Sequence, residues 1–115
     1  MWLSAALDEL SARPVCGYAR EAAPATEPTS LAALALARHD RLALAGEAAE
    51  WLAKLQSADG SVPAAAEGEL PGWTTGLAVL AWQALASGAD SGPAAGSKRV
   101  ARGVAWILAA SGLPL

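Results

Sequence analysis

Trp51-Leu52-Ala53-Lys54-Leu55-Gln56-Ser57-Ala58-Asp59-Gly60-Ser61 reads as the end of a helix. An indole, an amide little more than one turn later and a closing Asp-Gly pair stand at one terminus. The glycine suits the left-handed position that stops a helix. An indole and an amide at this spacing can clamp one helix end onto the next element. Part of the pattern recurs at Arg102-Gly103-Val104-Ala105-Trp106-Ile107, so the stretch belongs to a repeat. It therefore speaks to architecture first and to activity hardly at all.

Helical periodicity extends outward from this stretch, and strand alternation is not seen. A first helix is expected from about Trp2 to Ala12, ended by Pro14. After a Gly/Pro/Ala loop, Pro28 suits the first position of a second helix running from Thr29 to about Arg38. Leu31, Leu34 and Ala35 fall on one face of it. Asp40 is placed to cap a third helix whose apolar stripe is Leu44, Ala45, Ala48, Trp51, Leu52 and Leu55. Gly60 and Pro63 are expected to end it. Thr74 or Thr75 caps a fourth helix, stopped by Gly88, with Leu77, Leu80, Ala81, Ala84 and Leu85 inward. Trp82 lies on its flank beside Leu85. Turn chemistry fills Gly88 to Gly96. Ser97 then caps a fifth helix with Val100, Val104, Ile107 and Leu108 inward, closed by Gly112-Leu113-Pro114.

Two matches make this series a repeat. Trp2-Leu3, Trp51-Leu52 and Trp106-Ile107 align at a period of roughly 50 residues, as expected of stacked supersecondary units. Between them, Pro28-Thr29-Ser30-Leu31-Ala32-Ala33-Leu34-Ala35 aligns with Thr74-Thr75-Gly76-Leu77-Ala78-Val79-Leu80-Ala81. The expected fold is all-α: about five helices in antiparallel pairs, forming a single domain over residues 1–115 with about two repeat units.

Composition agrees and excludes several functions. Of 115 residues, 54% are hydrophobic and 17% charged, enough apolar material for a core and too much for a disordered chain. The Ala- and Leu-rich character favours closely packed helices. A net charge of −3 argues against a nucleic-acid surface. One cysteine excludes an internal disulfide framework and a multi-cysteine zinc site. The most apolar run, Leu31 to Ala45, is broken by Arg38, His39, Asp40 and Arg41, so no membrane span is expected. The N-terminus lacks the basic start of a signal peptide, and a cytoplasmic location is the expectation.

These residues resemble the α/α-toroid repeats of squalene–hopene and oxidosqualene cyclases and of protein prenyltransferase β-subunits. The repeated motif of the cyclases runs basic, Gly or Ala, spacer, aromatic, aliphatic, three residues, Gln, a short spacer and Gly-x-Trp. Ala48, Trp51, Leu52, Gln56 and Gly60 match it, whereas Glu47 stands at the basic position and Val62 at the last Trp. Arg102, Gly103, Trp106 and Ile107 match the start of the next copy, where Ser111 replaces the Gln. The Gly17-Tyr18 and Glu27-Pro28-Thr29 segments look like the stretch between motifs. The resemblance implies an arc of an α/α toroid, with the Gln amide and the indole tying outer helices together. A buried helix-end carbonyl left unmet costs about 1–3 kcal/mol, so such a tie is useful in every unit.

The catalytic chemistry of those families is not matched. The cyclases start from a D-x-D-D or D-C-T-A-E acid, made acidic by its neighbours. Here Asp40, Asp59 and Asp90 stand alone as cap or turn residues, and Glu67-Gly68-Glu69 reads as a solvated loop. The prenyltransferases bind zinc through Asp, Cys and His, but Cys16 and His39 have no ligand spacing. Gly88-Ala89-Asp90-Ser91-Gly92 lacks the strand and the Lys of a phosphate loop. No catalytic residue, cofactor or metal is therefore expected. Trp73 and Tyr18 are the candidate ligand-facing aromatics, since aromatic faces stabilise cationic intermediates in such cavities.

The expected function is a noncatalytic scaffold or interaction module of this repeat family. An isoprenoid or other apolar small-molecule binding domain is a second reading. A segment of a full cyclase, with its acid outside residues 1–115, is a third. A closed toroid takes roughly a dozen helices and repeat stacks need capped ends. Self-association, or a longer repeat-protein partner, is expected on that ground.

Overall fold

A computed structural model of the chain describes residues 2–65, 73–88 and 93–110. All of its regular elements there are helices: α1 (Trp2–Ala12), α2 (Thr26–Arg38), α3 (Leu42–Leu55), α4 (Thr75–Gly88) and α5 (Pro93–Ala110). None of them is long and apolar enough to cross a membrane.

The helices lie in two layers. The α2 and α4 helices pack side by side, and α3 packs on both of them. The α1 helix lies against α2, and α5 against α4. The shortest dimension of the molecule, 20 Å, is that of two helices stacked at about 10 Å each. The core fills the angle between α2, α3 and α4. It is built from Ala33, Ala48, Ala49 and Ala78 around Leu52, Val62, Val79 and Trp82. Alanines at the crossings let the backbones approach closely, while Leu52 and Val62, both fully buried, fill the remaining space. Burying a side chain of that size contributes about 1.5–3 kcal/mol.

The helix ends correct several expectations. The α2 helix starts at Thr26, so Pro28 is its third residue. The reason is long-range: Thr26 N–H donates to the Ala64 carbonyl at 2.8 Å, which satisfies a helix-start donor from a distant loop. Asp40 does not cap α3. It holds the left-handed position after α2, at φ 63°, between bonds from Asp40 N to Ala37 O at 3.3 Å and from Arg41 N to Leu36 O at 2.8 Å. That pair of bonds is the Schellman closure, with Asp where glycine is usual. At α4 the Thr74 carbonyl accepts the first helical bond, from Ala78 N at 3.1 Å. Pro93 takes the first position of α5, which leaves Ser97 inside the helix. The loop at Glu67–Glu69, Asp90, and Ser111 onward lie outside the described residues.

Candidate functional site

The stretch around Gln56 is the best-connected polar site among the described residues. The α3 helix stops at Leu55, and Gln56 turns to extended backbone at φ −62°, ψ 125°. Gly60 therefore does not close the helix, as its sequence position suggested. It sits in a tight loop in which Gly60 N donates to Ser57 O at 2.9 Å and Ser57 N to Ser61 O at 2.8 Å. Its φ of +99° is left-handed, and an added Cβ would collide with the Arg102 carbonyl. Two independent reasons thus require glycine there.

The Gln56 amide joins this loop to α5. Its Nε2 donates to Gly60 O at 3.1 Å and to Arg99 O at 2.9 Å. Its Oε1 accepts from Arg102 Nη2 at 3.2 Å. Gly103, one turn beyond Arg99, leaves the helix surface bare at that point. A Cβ there would lie 2.6 Å from Val79 Cγ2. The tail of one motif, Gln56 and Gly60, thereby meets the head of the next, Arg102 and Gly103. Trp51 is half-buried against the core, whereas Leu52 is fully buried. Trp51 stands four residues before the last residue of α3, and Trp106 four before Ala110. Trp2 instead opens α1 and is 79% exposed, so it does not share their position.

Threonines bracket the loops in a second repeated feature, Thr29 in one unit and Thr74 with Thr75 in the other. Thr29 Oγ1 accepts from Cys16 N at 3.1 Å and donates to Cys16 O at 2.9 Å. Thr75 Oγ1 accepts from Val62 N at 2.8 Å, while Thr74 Oγ1 donates to Val62 O at 2.9 Å. The same offset of 46 residues separates Thr29 from Thr75 and Cys16 from Val62. This sets the unit length slightly below the period of the tryptophans. The two units join where Thr26 Oγ1 donates to Pro63 O and Ala25 bridges Ala65.

Trp73 and Tyr18 are not brought together. Trp73 is 67% exposed and borders a hollow of about 300 Å³ with Gly76, Trp106, Ile107 and Ala110. Tyr18 is 66% exposed and borders a different hollow of about 280 Å³ with Leu10, Arg13 and Cys16. A hydrogen bond to the Glu27 carboxylate pushes the Tyr18 phenol above its usual range. Trp82 was expected on a flank, yet it is 3% exposed, and its Nε1 donates to Ala49 O at 3.1 Å. Leu80, expected inward, is 51% exposed, and Leu31 of α2 is exposed to the same extent.

The isolated titratable groups have local roles. Asp59 Oδ1 accepts from Ser61 N at 2.9 Å and Ser61 Oγ at 2.6 Å. Those donors hold its carboxyl below the usual carboxylate range. Burial pushes the Cys16 thiol up, against an opposing hydrogen bond with Thr29, away from the thiolate form. His39 is exposed at the end of α2. Among the described residues no three His, Cys, Asp or Glu side chains come together to hold a metal.

Two arginines carry connections that motif reading missed. Arg99 Nη1 lies 3.2 Å from Glu50 Oε1, and the guanidinium sits 5.8 Å from the centre of the Trp82 ring. It thus links α3, α4 and α5. Arg41 Nη1 reaches back to α1, bonding Asp8 Oδ1 at 3.1 Å, Leu7 O at 3.3 Å and Ser11 Oγ. It ties α3 to α1 as Gln56 and Arg102 tie α3 to α5. Its signal in the sequence was one basic residue before a helix, which alone points nowhere. Comparison of the chain with protein-family models, with curated proteins and with solved structures finds no match.

Proposed function

We propose that the chain is a helical repeat scaffold of the kind resembled by its motif, an arc of an α/α toroid that serves as an interaction module. The observation that carries this reading is how the polar motif side chains are engaged. The Gln56 amide is bonded to Gly60, Arg99 and Arg102, and the hydroxyls of Thr29, Thr74 and Thr75 are bonded to loop backbone. The Asp59 carboxylate accepts from Ser61 N and Ser61 Oγ within its own loop. Each of these groups binds one part of the chain to another.

The test is incubation of the purified chain with squalene and with oxidosqualene, followed by mass spectrometry of the extract. Unchanged substrate is expected, from protein whose helical circular dichroism is intact. A cyclised product overturns the reading.

A second reading has its own support in the exposed apolar side chains of Trp73 and Leu80. Such a surface suits an isoprenoid chain, and a bound ligand raises the melting temperature. No shift across a panel of polyprenyl alcohols removes this reading.

A further inference from the structure

The 46-residue register allows α2 and α4 to be compared position by position. Ala32 and Ala78, Ala33 and Val79, and Leu36 and Trp82 are buried in both helices. These positions face the outer layer and the core common to both units. Thr29 and Thr75 are buried in both as well, and the other positions differ chiefly in two stripes. Thr74, Leu77, Ala81 and Ala84 are each more buried than their counterparts Pro28, Leu31, Ala35 and Arg38. In the opposite sense, Ser30, Leu34 and Ala37 are each more buried than Gly76, Leu80 and Gln83. The spacings within each stripe, three or four residues, place its members on one side of a helix.

The neighbours explain the difference. Each of α2 and α4 has an outer helix before it and one after it, but among the described residues each has one inner neighbour, the other. The first stripe is the side of α4 that α2 covers, and the second is the side of α2 that α4 covers. Leu31 and Ala35 therefore lie on an edge of α2 built like the covered edge of α4. Gly76 and Leu80 lie on an edge of α4 built like the covered edge of α2. A Cβ added at Gly76 meets nothing within 4 Å.

The loops follow the same pattern. Gly17, Tyr18 and Ala19 hold the register positions of Pro63, Ala64 and Ala65, the segment that receives Thr26 within the chain. The Tyr18 hollow thus lies at one edge of the stack and the Trp73 hollow at the other.

We propose that the chain associates head to tail with copies of itself, the Leu31 and Ala35 edge of α2 in one copy packing on the Gly76 and Leu80 edge of α4 in the next. The contact continues the α2–α4 interface that already joins the two units. Its two surfaces differ, so the association is heterologous and forms either a closed ring or an open stack. This inference names a partner for the proposed scaffold and rests on that reading for its purpose, though its geometry comes from the internal register alone.

Mixing two edge variants in sedimentation velocity provides the test. The unaltered chain is expected to sediment as species that grow with concentration. Leu31→Glu and Leu80→Glu each remove one edge at an exposed position, and each alone is expected to be monomeric. Their equimolar mixture retains one good copy of each edge and is expected to form a one-to-one dimer that grows no further. A monomeric mixture overturns the proposal, as does an unaltered chain that stays monomeric as its concentration is raised. A symmetric α2–α2 or α4–α4 dimer is also excluded by the pattern, because one of the two variants would then still dimerise alone. Circular dichroism reports whether each variant keeps its helices. Leu31→Gln and Leu80→Gln replace any glutamate variant that does not. Loss of association leaves the scaffold reading standing, since that reading falls only to a cyclised product.

Discussion

Gln56 and Gly60 act as one joint, and each can be removed separately. Gln56→Leu keeps the size of the side chain but deletes bonds to Gly60 O, Arg99 O and Arg102. At about 1 kcal/mol net for each hydrogen bond, a loss of about 1–3 kcal/mol in urea denaturation is expected. Gly60→Ala is expected to cost at least as much, because the left-handed backbone penalises any Cβ by about 1–2 kcal/mol before the collision with Arg102 is counted. A neutral Gly60→Ala would show that α5 moves freely away from the loop. Asp40 is the opposite case, a non-glycine residue at φ 63° closing α2. Asp40→Gly relieves that backbone without touching packing and is expected to raise stability by about 1 kcal/mol, measured as a higher melting temperature. The Asp59 carboxylate adds a dependence on pH. Its folded value lies below the unfolded one, so its contribution is complete above the unfolded value and is lost as pH falls through the folded one. Melting temperature followed downward from pH 6 is therefore expected to fall more steeply below about pH 4 in the native chain than in Asp59→Asn. Parallel profiles would remove the role assigned to the Ser61 bonds.

At the scale of elements, the threonine brackets fix where each inner helix begins. The two are alike in bonding but not in setting: Val62 is fully buried, whereas Cys16 is only half-buried. Thr75→Val leaves the Val62 N–H without the side-chain oxygen it bonds, in a place without solvent, and is expected to cost about 1–3 kcal/mol. Thr29→Val is expected to cost less, because water can reach the Cys16 backbone. Chemical denaturation of the two variants decides, and the reverse order would mean that the loops are solvated differently from their burial. The pairing of Thr29 with Thr75 was legible in the sequence, because two Leu/Ala helices follow identical spacing. Their bonding partners were not, since Cys16 and Val62 have no side-chain signal for a backbone contact. The same limit explains the helix ends. Pro14 marks a local stop, and α1 ends just before it at Ala12. The start of α2 depends on Ala64, and the use of Gln56 depends on α5; neither leaves a local trace. Apolar periodicity put Leu31, Leu34 and Ala35 on one face, but Leu34 is half-buried against the core whereas Leu31 is 51% exposed. Periodicity alone does not show which part of such a face a neighbouring helix covers. Trp82 was misread for the converse reason: its indole N–H is satisfied by Ala49 of a different helix, so a flank position became a core one.

Over the whole molecule, stability is the sum of contacts between neighbouring elements, as expected of a stack of repeated units. The position of each helix in the stack should then set its resistance to local opening. The α3 helix packs on both α2 and α4 and is linked outward by Gln56 to α5 and by the adjoining Arg41 to α1. Its buried residues, Ala45, Ala48, Ala49 and Leu52, run its length. The α1 helix has Leu7 as its buried residue and packs on α2, held by the Arg41 bonds and an exposed ion pair between Arg20 and Glu9. Surface pairs of that kind contribute at most about 1 kcal/mol. Amide hydrogen exchange in the native chain is therefore expected to be slowest in α3 and in the α2 and α4 turns packed on it, and fastest in α1. Arg41→Ala should widen the difference, speeding exchange in the last turn of α1 while leaving the middle of α3 unchanged. Equal protection across all five helices would mean that the chain opens as a single cooperative unit. In that case the interfaces between units are as strong as the units themselves, and the same α2–α4 surface repeated between copies would be strong enough to dominate the solution behaviour of the protein.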